Sequence, residues 1–152
     1  MTNLQQTFLL LSALFNLIVF LKAFHESKDK KNAFGLTPWL NLIGAFVWGD
    51  AVVFGLFWAI ASLVTWLLND WLLFLLIAAL FWAVRSHGET IYWFNQQFST
   101  LDRNPPKKLI GYSIFHNDAI WFVYQIVWQC VTVISIIFSI YFGYQWLQTL
   151  PK

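Results

Sequence analysis

The chain has 152 residues, of which 59% are hydrophobic and only 11% are charged. Soluble domains carry about a quarter charged residues, so this composition is typical of an integral membrane protein and excludes an ordinary soluble domain. The formal net charge of +2 is too small to predict nucleic-acid binding, and the single cysteine, Cys130, cannot form an internal disulfide.

Four segments are long and apolar enough to cross a hydrocarbon core of about 30 Å, which requires roughly 20 helical residues. The first is interpreted as a retained helix, because no Lys or Arg precedes it and no small-residue cleavage site follows it. The second opens at Thr37-Pro38, a good helix start, and a tight turn at Asn69-Asp70 separates it from the third. The predicted spans are residues 7–24, 39–68, 71–87 and 119–147. We therefore predict an all-α integral membrane protein, a single membrane domain over residues 1–152 whose four transmembrane helices form an up-down bundle.

The third span has the shortest apolar run, and its helix is expected to continue past Arg85 toward Phe98. Residues 90–98 of this continuation mix aromatic with polar side chains in an amphipathic pattern. Such a pattern is typical of a helix that lies at the membrane surface. The sequence therefore predicts an interfacial amphipathic extension after the third span.

The positive charges are divided very unevenly between the two sides of the membrane. Eight of the nine Lys and Arg lie near the end of the first or third span or in the loop that follows it, and only Lys152 lies on the other side. Because cytoplasmic loops carry an excess of Lys and Arg, loops 25–38 and 88–118 are expected in the cytoplasm of a plasma or inner membrane. Both termini are then outside, an N-out/C-out topology. Lys107 and Lys108 are expected to contact anionic lipid headgroups.

Three polar side chains are predicted to meet near the middle of the bilayer. At about 1.5 Å per residue, Asp50 lies about 16 Å inside the second span, and Asn16 and Gln129 reach nearly the same depth. Polar groups at this depth cost a few kcal/mol, so each requires a reason. For Asp50 the alternatives are a structural hydrogen bond and proton carriage.

The fourth span carries polar or small side chains at steps of three and four, which places them on one face of the helix. Such a stripe is typical of helix packing, because small and hydroxylated residues let membrane helices approach closely. The alternative is the lining of a polar pathway. The stripe comprises Gln125, Gln129, Thr132, Ser135, Ser139 and Gly143.

The second span also has a face of small residues, and Asp50 points away from it. If this face packs inside the bundle, Asp50 faces a second subunit, or the helix breaks at Gly49 and turns the acid inward. The small face comprises Gly44, Ala51, Gly55, Ala59 and Ser62. Arg85 has three possible partners: Asp50, the lipid headgroups, and Glu89 one turn further along its own helix.

Three histidines lie at or near the cytoplasmic surface, each close to an acidic residue in the sequence. His25, His87 and His116, with Asp118 and Glu89 nearby, are residue types that bind metal ions. None of the recognised metal-site spacings is present, however. A metal at this cluster is the one cofactor that the sequence suggests.

No motif identifies a reaction, so the sequence argues against an enzyme more than for one. The polar layer favours a channel, a carrier or a proton- or ion-conducting component that acts as an oligomer, since four helices alone enclose little room. One alternative is a membrane-surface, metal-dependent enzyme that uses the cytoplasmic histidines and acids. Another is an accessory or scaffold subunit of a larger membrane complex. Besides lipid, the expected partner is therefore a second copy or another membrane subunit.

Overall fold

The computed structural model describes residues 1–101 and 103–150. Within these ranges no strand forms, and the only extended pairing is an isolated antiparallel bridge between Leu36 and Val47. Two 3₁₀ helices, Pro38–Ile43 and Pro106–Lys108, lie in the connections between longer helices. The α-helices of the described chain are α1 (Asn3–Lys28), α2 (Trp48–Leu67), α3 (Trp71–Phe98), α4 (Tyr112–Phe115) and α5 (Ala119–Thr149).

In the part of the chain that the structure describes, four helices are long and apolar enough to cross a membrane. These are α1, α2, α3 and α5, and their most apolar windows have mean hydropathies between 1.6 and 2.1. The all-α membrane class predicted from composition is confirmed to this extent. As predicted, α3 also continues through Arg85 to Phe98 without a break. Its 28 residues span about 42 Å, more than a hydrocarbon core requires.

The chain divides into two compact units. The first contains Met1–Ile77 together with the C-terminal residues from Thr149, and the second contains Ala78–Gln148. The boundary therefore falls inside α3. A single membrane domain and an up-down arrangement of the whole bundle stay predictions.

In the first unit, α1 and α2 pack in antiparallel directions through small residues. A Cβ atom at Gly55 would lie 3.0 Å from the backbone nitrogen of Phe20 and 3.2 Å from the carbonyl oxygen of Asn16. Ala51, Ala59 and Ser62 are buried along the same side of α2. The small face predicted for the second span is thus a packing face, as expected where membrane helices approach closely. Its fifth predicted member, Gly44, lies outside the helix.

Side-chain hydrogen bonds fix where α1 and α3 begin. The Thr2 hydroxyl accepts a hydrogen bond from the Gln5 backbone, and the Gln5 side chain accepts one from the Thr2 backbone, which forms a capping box. The Asp70 carboxylate accepts the Leu73 N–H at 2.9 Å, after a left-handed Asn69 that reverses the chain. The predicted tight turn between the second and third spans therefore exists.

In the second unit, the C-terminal half of α3 packs against α5. The Thr132 hydroxyl donates to the Ser86 hydroxyl at 2.9 Å, and the Gln97 amide donates to the Gln125 carboxamide oxygen at 2.7 Å. The two pairs show that the helices run in opposite directions. The connection between them is tied to α5 by the Trp121 indole N–H, which donates to the Asn104 carbonyl.

Candidate site at the break in the second span

The second apolar segment is not one continuous helix. Thr37-Pro38 starts a 3₁₀ helix that ends at Gly44, whose φ of 78° is left-handed, and α2 begins only at Trp48. The α-helix therefore begins nine residues after the start of the predicted 39–68 segment, which corrects that boundary for the helix. A left-handed residue ends a helical run, and glycine adopts this conformation without a Cβ clash.

An extended strand-like pairing replaces the missing helical turns. The N–H groups of Trp48 and Gly49, in the first turn of α2, donate to the carbonyls of Gly35 and Ala33 at 3.0 and 2.8 Å. The Thr37 N–H donates to the Phe46 carbonyl, so residues 33–37 pair with residues 46–49. The first N–H groups of a helix have no partner inside it, so these loop carbonyls stabilise the start of α2.

The 3₁₀ helix Pro38–Ile43 folds back beside α2. The Trp58 indole N–H donates to the Ile43 carbonyl at 3.1 Å, although Trp58 lies ten residues, about 15 Å, after the first residue of α2. Its side chain leans toward the N-terminus and covers part of that distance. Leu40 is buried, and Ile43 packs against the core cluster that contains Val19 and Ala51.

The outer surface of this returning loop is mostly apolar, although Asn41 is also exposed. The side chains of Phe34, Leu36 and Leu42 are 91%, 80% and 88% exposed. Inside the loop, the buried Thr37 hydroxyl donates to the Ala45 carbonyl. Irregular backbone is tolerated at membrane depth only where the protein or water satisfies its polar groups, and these internal hydrogen bonds meet part of that requirement.

Asp50 lies in the first turn of α2, as its third residue. Its carboxylate accepts the Phe46 N–H at 3.1 Å, and a carboxylate at this end of a helix is stabilised by the helix dipole. The backbone of α1 at Asn16 and Phe20 contacts α2 at Gly55. Asp50 lies five residues, about 7.5 Å, before Gly55, so it is nearer to the start of α2 than this contact is. The predicted common depth of Asp50 and Asn16 is therefore corrected, because it assumed a helix from Pro38.

A lysine lies between two tryptophans at the same end of the α1–α2 pair. The Lys22 ammonium is 5.5 Å from the centre of the Trp39 ring and 5.3 Å from that of Trp48. Such cation–π contacts contribute about 0.5–2 kcal/mol each. They hold the 3₁₀ helix against α1 and place a positive charge near the break. In the sequence, Lys22 and Trp39 are recognisable only as a loop charge and an interfacial aromatic residue.

Asn16 is buried between α1 and α2. Its amide donates to the Ser12 carbonyl at 2.9 Å, while its carboxamide oxygen has no hydrogen-bond partner among the described residues. The Ser12 and Ser62 hydroxyls lie 3.0 Å apart and join the two helices. These contacts make Asn16 part of the helix interface.

The polar stripe of the fourth span separates into two groups. Gln125 and Thr132 bond to α3, and Ser135 is buried on the same side. Gln129 is exposed instead. The structure thus supports the packing alternative for Gln125, Thr132 and Ser135, with Gln129 outside this contact.

The side chains of Arg85 and Glu89 form an ion pair within α3. Their closest nitrogen–oxygen distance is 2.6 Å, and both side chains are largely buried, at 15% and 13% exposure. The Trp93 indole N–H also donates to Glu89, at 3.1 Å. Arg85 therefore contacts Glu89, one of the three partners that the sequence allowed.

The histidines do not form a recognisable metal centre. Over residues 1–101 and 103–150, no group of three or more His, Cys, Asp or Glu side chains has the geometry to hold a metal ion. His25 instead contacts Asp29, one turn further along, at 2.7 Å. A metal held by His25, His87, His116 and Asp118 gains no support from this geometry and stays a prediction.

The break, the acid in the first turn of α2 and the lysine between two tryptophans together form the candidate site. All of these residues belong to the first unit of the chain. No protein-family model, curated protein or solved structure matches this sequence.

Proposed function

We propose that the protein is a membrane transport component, a carrier or channel for protons or small cations, with its site at the break in the second span. The observation that carries this proposal is a discontinuous apolar segment with an ionisable residue, Asp50, next to the discontinuity. Helices broken at membrane depth are the usual way in which secondary transporters build ion and substrate sites. Ionisable residues inside membranes commonly lie on ion pathways.

The uneven charge distribution supports a cytoplasmic location for the site. Loops 25–38 and 88–118 carry most of the Lys and Arg and face the cytoplasm, so the α1–α2 connection is on the inner side. The apolar loop surface of Phe34, Leu36 and Leu42 then lies in the inner leaflet as a re-entrant segment. An ion entering from the cytoplasm reaches Asp50 beside this segment.

The chemistry at the site follows from the contacts of Asp50. One of its carboxylate oxygens accepts the Phe46 N–H, and the two oxygens of a carboxylate together offer about four lone-pair sites. A proton or a small cation therefore binds without removing the contact that stabilises the start of α2. Lys22, held by Trp39 and Trp48, opposes cation binding and favours release.

The test is flux into proteoliposomes that contain the purified protein, with dyes sensitive to protons, Na⁺ or K⁺. Asp50→Asn keeps an oxygen that accepts the Phe46 N–H but removes the charge, so we expect a folded protein whose flux falls to the leak of empty vesicles. Asp70→Asn is the matched control, because Asp70 also accepts a backbone N–H in the first turn of a helix. Its flux is expected to equal that of the wild type.

Two results would contradict the proposal. In the first, wild-type vesicles conduct none of the three ions faster than empty vesicles. In the second, the Asp50→Asn protein conducts as well as the wild type, which removes the acid from the mechanism.

A further inference from the structure

One exposed side of α5 has the spacing of a helix-packing seam. Its residues recur at alternating steps of four and three, the repeat that keeps one stripe of a helix against a neighbouring helix. All of them are exposed, although Gln125 and Thr132 on an adjacent side of α5 bond to α3. We call this set the α5 seam; it comprises Phe122, Ile126, Gln129, Val133, Ile136 and Ile140.

Gln129 is the polar residue of the α5 seam. It lies ten residues, about 15 Å, after the first residue of α5, a depth that is near the middle of a 30 Å hydrocarbon core that begins where α5 begins. Its side chain makes no hydrogen bond to any residue that the structure describes, and it is exposed. A carboxamide has two donors and an acceptor, and lipid tails satisfy none of them.

We propose that the α5 seam packs against the same seam of a second copy of this chain, with each Gln129 hydrogen-bonded to its counterpart. Copies inserted with one topology present their α5 helices in parallel, so identical residues meet at the same depth. A carboxamide donates and accepts, and it therefore pairs with itself. Ile126, Val133 and Ile140 supply the β-branched side chains common at one of the two seam positions in parallel helix pairs. This association goes beyond the transport proposal and does not depend on it.

Crosslinking of neighbouring cysteines tests the geometry. In a Cys130→Ala background, Val133→Cys places a thiol on the seam, and Ile134→Cys places one about 100° further around α5. The two positions are equally exposed, at 57% and 53%, so they are matched for reagent access. With the full-length protein in liposomes and a short bis-maleimide, we expect a covalent dimer of the Val133→Cys variant and little from Ile134→Cys. Equal yields would overturn the proposal, as would a Val133→Cys product in native membranes that contains a different protein.

Association measured by energy transfer between labelled copies tests the role of Gln129. Gln129→Leu is expected to weaken association about 3- to 10-fold, the range of one interhelical hydrogen bond in a membrane. Gln129→Asn keeps the carboxamide and is expected to retain most of the affinity. Because Gln129 is exposed and outside the α3 contact, neither change should unfold the protein. Wild-type association in the Gln129→Leu variant would contradict the pairing, whatever the flux measurements show.

Discussion

Substitution of Gly55 by alanine should separate α1 from α2. The added Cβ would lie 3.0 Å from the Phe20 nitrogen and 3.2 Å from both the Asn16 oxygen and the Phe20 Cα. All three are backbone atoms, so no side chain can rotate away, and α1 itself must move. Overpacking of this kind costs about 1–3 kcal/mol, against a gain of about 1 kcal/mol in helix propensity. The net expectation for Gly55→Ala is a loss of up to about 2 kcal/mol in unfolding free energy, and a deficit of about 1–3 kcal/mol against a glycine-to-alanine change that meets no clash.

Gly88→Ala is the matched control. Gly88 is also inside a helix, α3, but a Cβ there would meet nothing within 4 Å. This variant should keep the propensity gain and be as stable as the wild type or about 1 kcal/mol more stable. Both free energies can be measured by titrating mixed micelles with a denaturing detergent and following helical circular dichroism. A Gly55→Ala protein as stable as Gly88→Ala would refute the close approach of α1 to Gly55.

Further substitutions test three other contacts. Asn16→Asp should destabilise the protein more than Asn16→Leu. The aspartate variant replaces the amide that donates to the Ser12 carbonyl by a second oxygen. Equal stability of the two variants would contradict the assignment of that hydrogen bond. Thr37→Val should lower the unfolding free energy by about 1 kcal/mol and speed proteolysis of the 33–47 loop, because it removes the buried hydroxyl that donates to the Ala45 carbonyl. An unchanged cleavage rate would argue against that hydrogen bond. Arg85→Met should destabilise by about 3–5 kcal/mol, because the largely buried Glu89 carboxylate then loses the Arg85 guanidinium. Adding Glu89→Gln should recover part of this loss, and additive effects in this double-mutant cycle would exclude the ion pair.

Much of the helical architecture follows from local sequence. The apolar runs are long and poor in charge, which is typical of membrane-spanning helices. The turn at Asn69-Asp70 is formed by a left-handed Asn69 and by the Asp70 carboxylate, which accepts the Leu73 N–H. The small face of α2 could also be predicted, because its spacing places Ala51, Gly55 and Ser62 on one side of a helix. These features depend on neighbours within a few residues, which a sequence displays directly.

The break before α2 could not be predicted from hydropathy. Residues 38–47 are as apolar as a helix interior, and the choice between one long helix and a returning loop depends on pairing with residues 33–37. That pairing is a tertiary contact. Two local signals were nevertheless present: Gly44, which ends the 3₁₀ helix, and Asp50, an acid placed where a new helix begins. Because α2 begins at Trp48, Asp50 is the third residue of the helix and not a residue in its middle.

A tertiary contact also explains why Gln129 is exposed while Gln125, in the same polar stripe of α5, bonds to α3. Gln125 and Gln129 are 40° apart on a helix, so both fit one face, and only the position of α3 decides which of them is covered. A count of steps of three and four from Phe122 would have shown that Gln129 also belongs to a second, apolar stripe.

The central claim is that Asp50, beside the break in the second span, carries transported ions. The most direct measurement is the ratio of initial cation flux between Asp50→Asn and Asp70→Asn proteins, reconstituted at equal density in the same vesicles. A ratio near zero, with wild-type flux in the Asp70→Asn protein, is the predicted result. A ratio near one would contradict the claim.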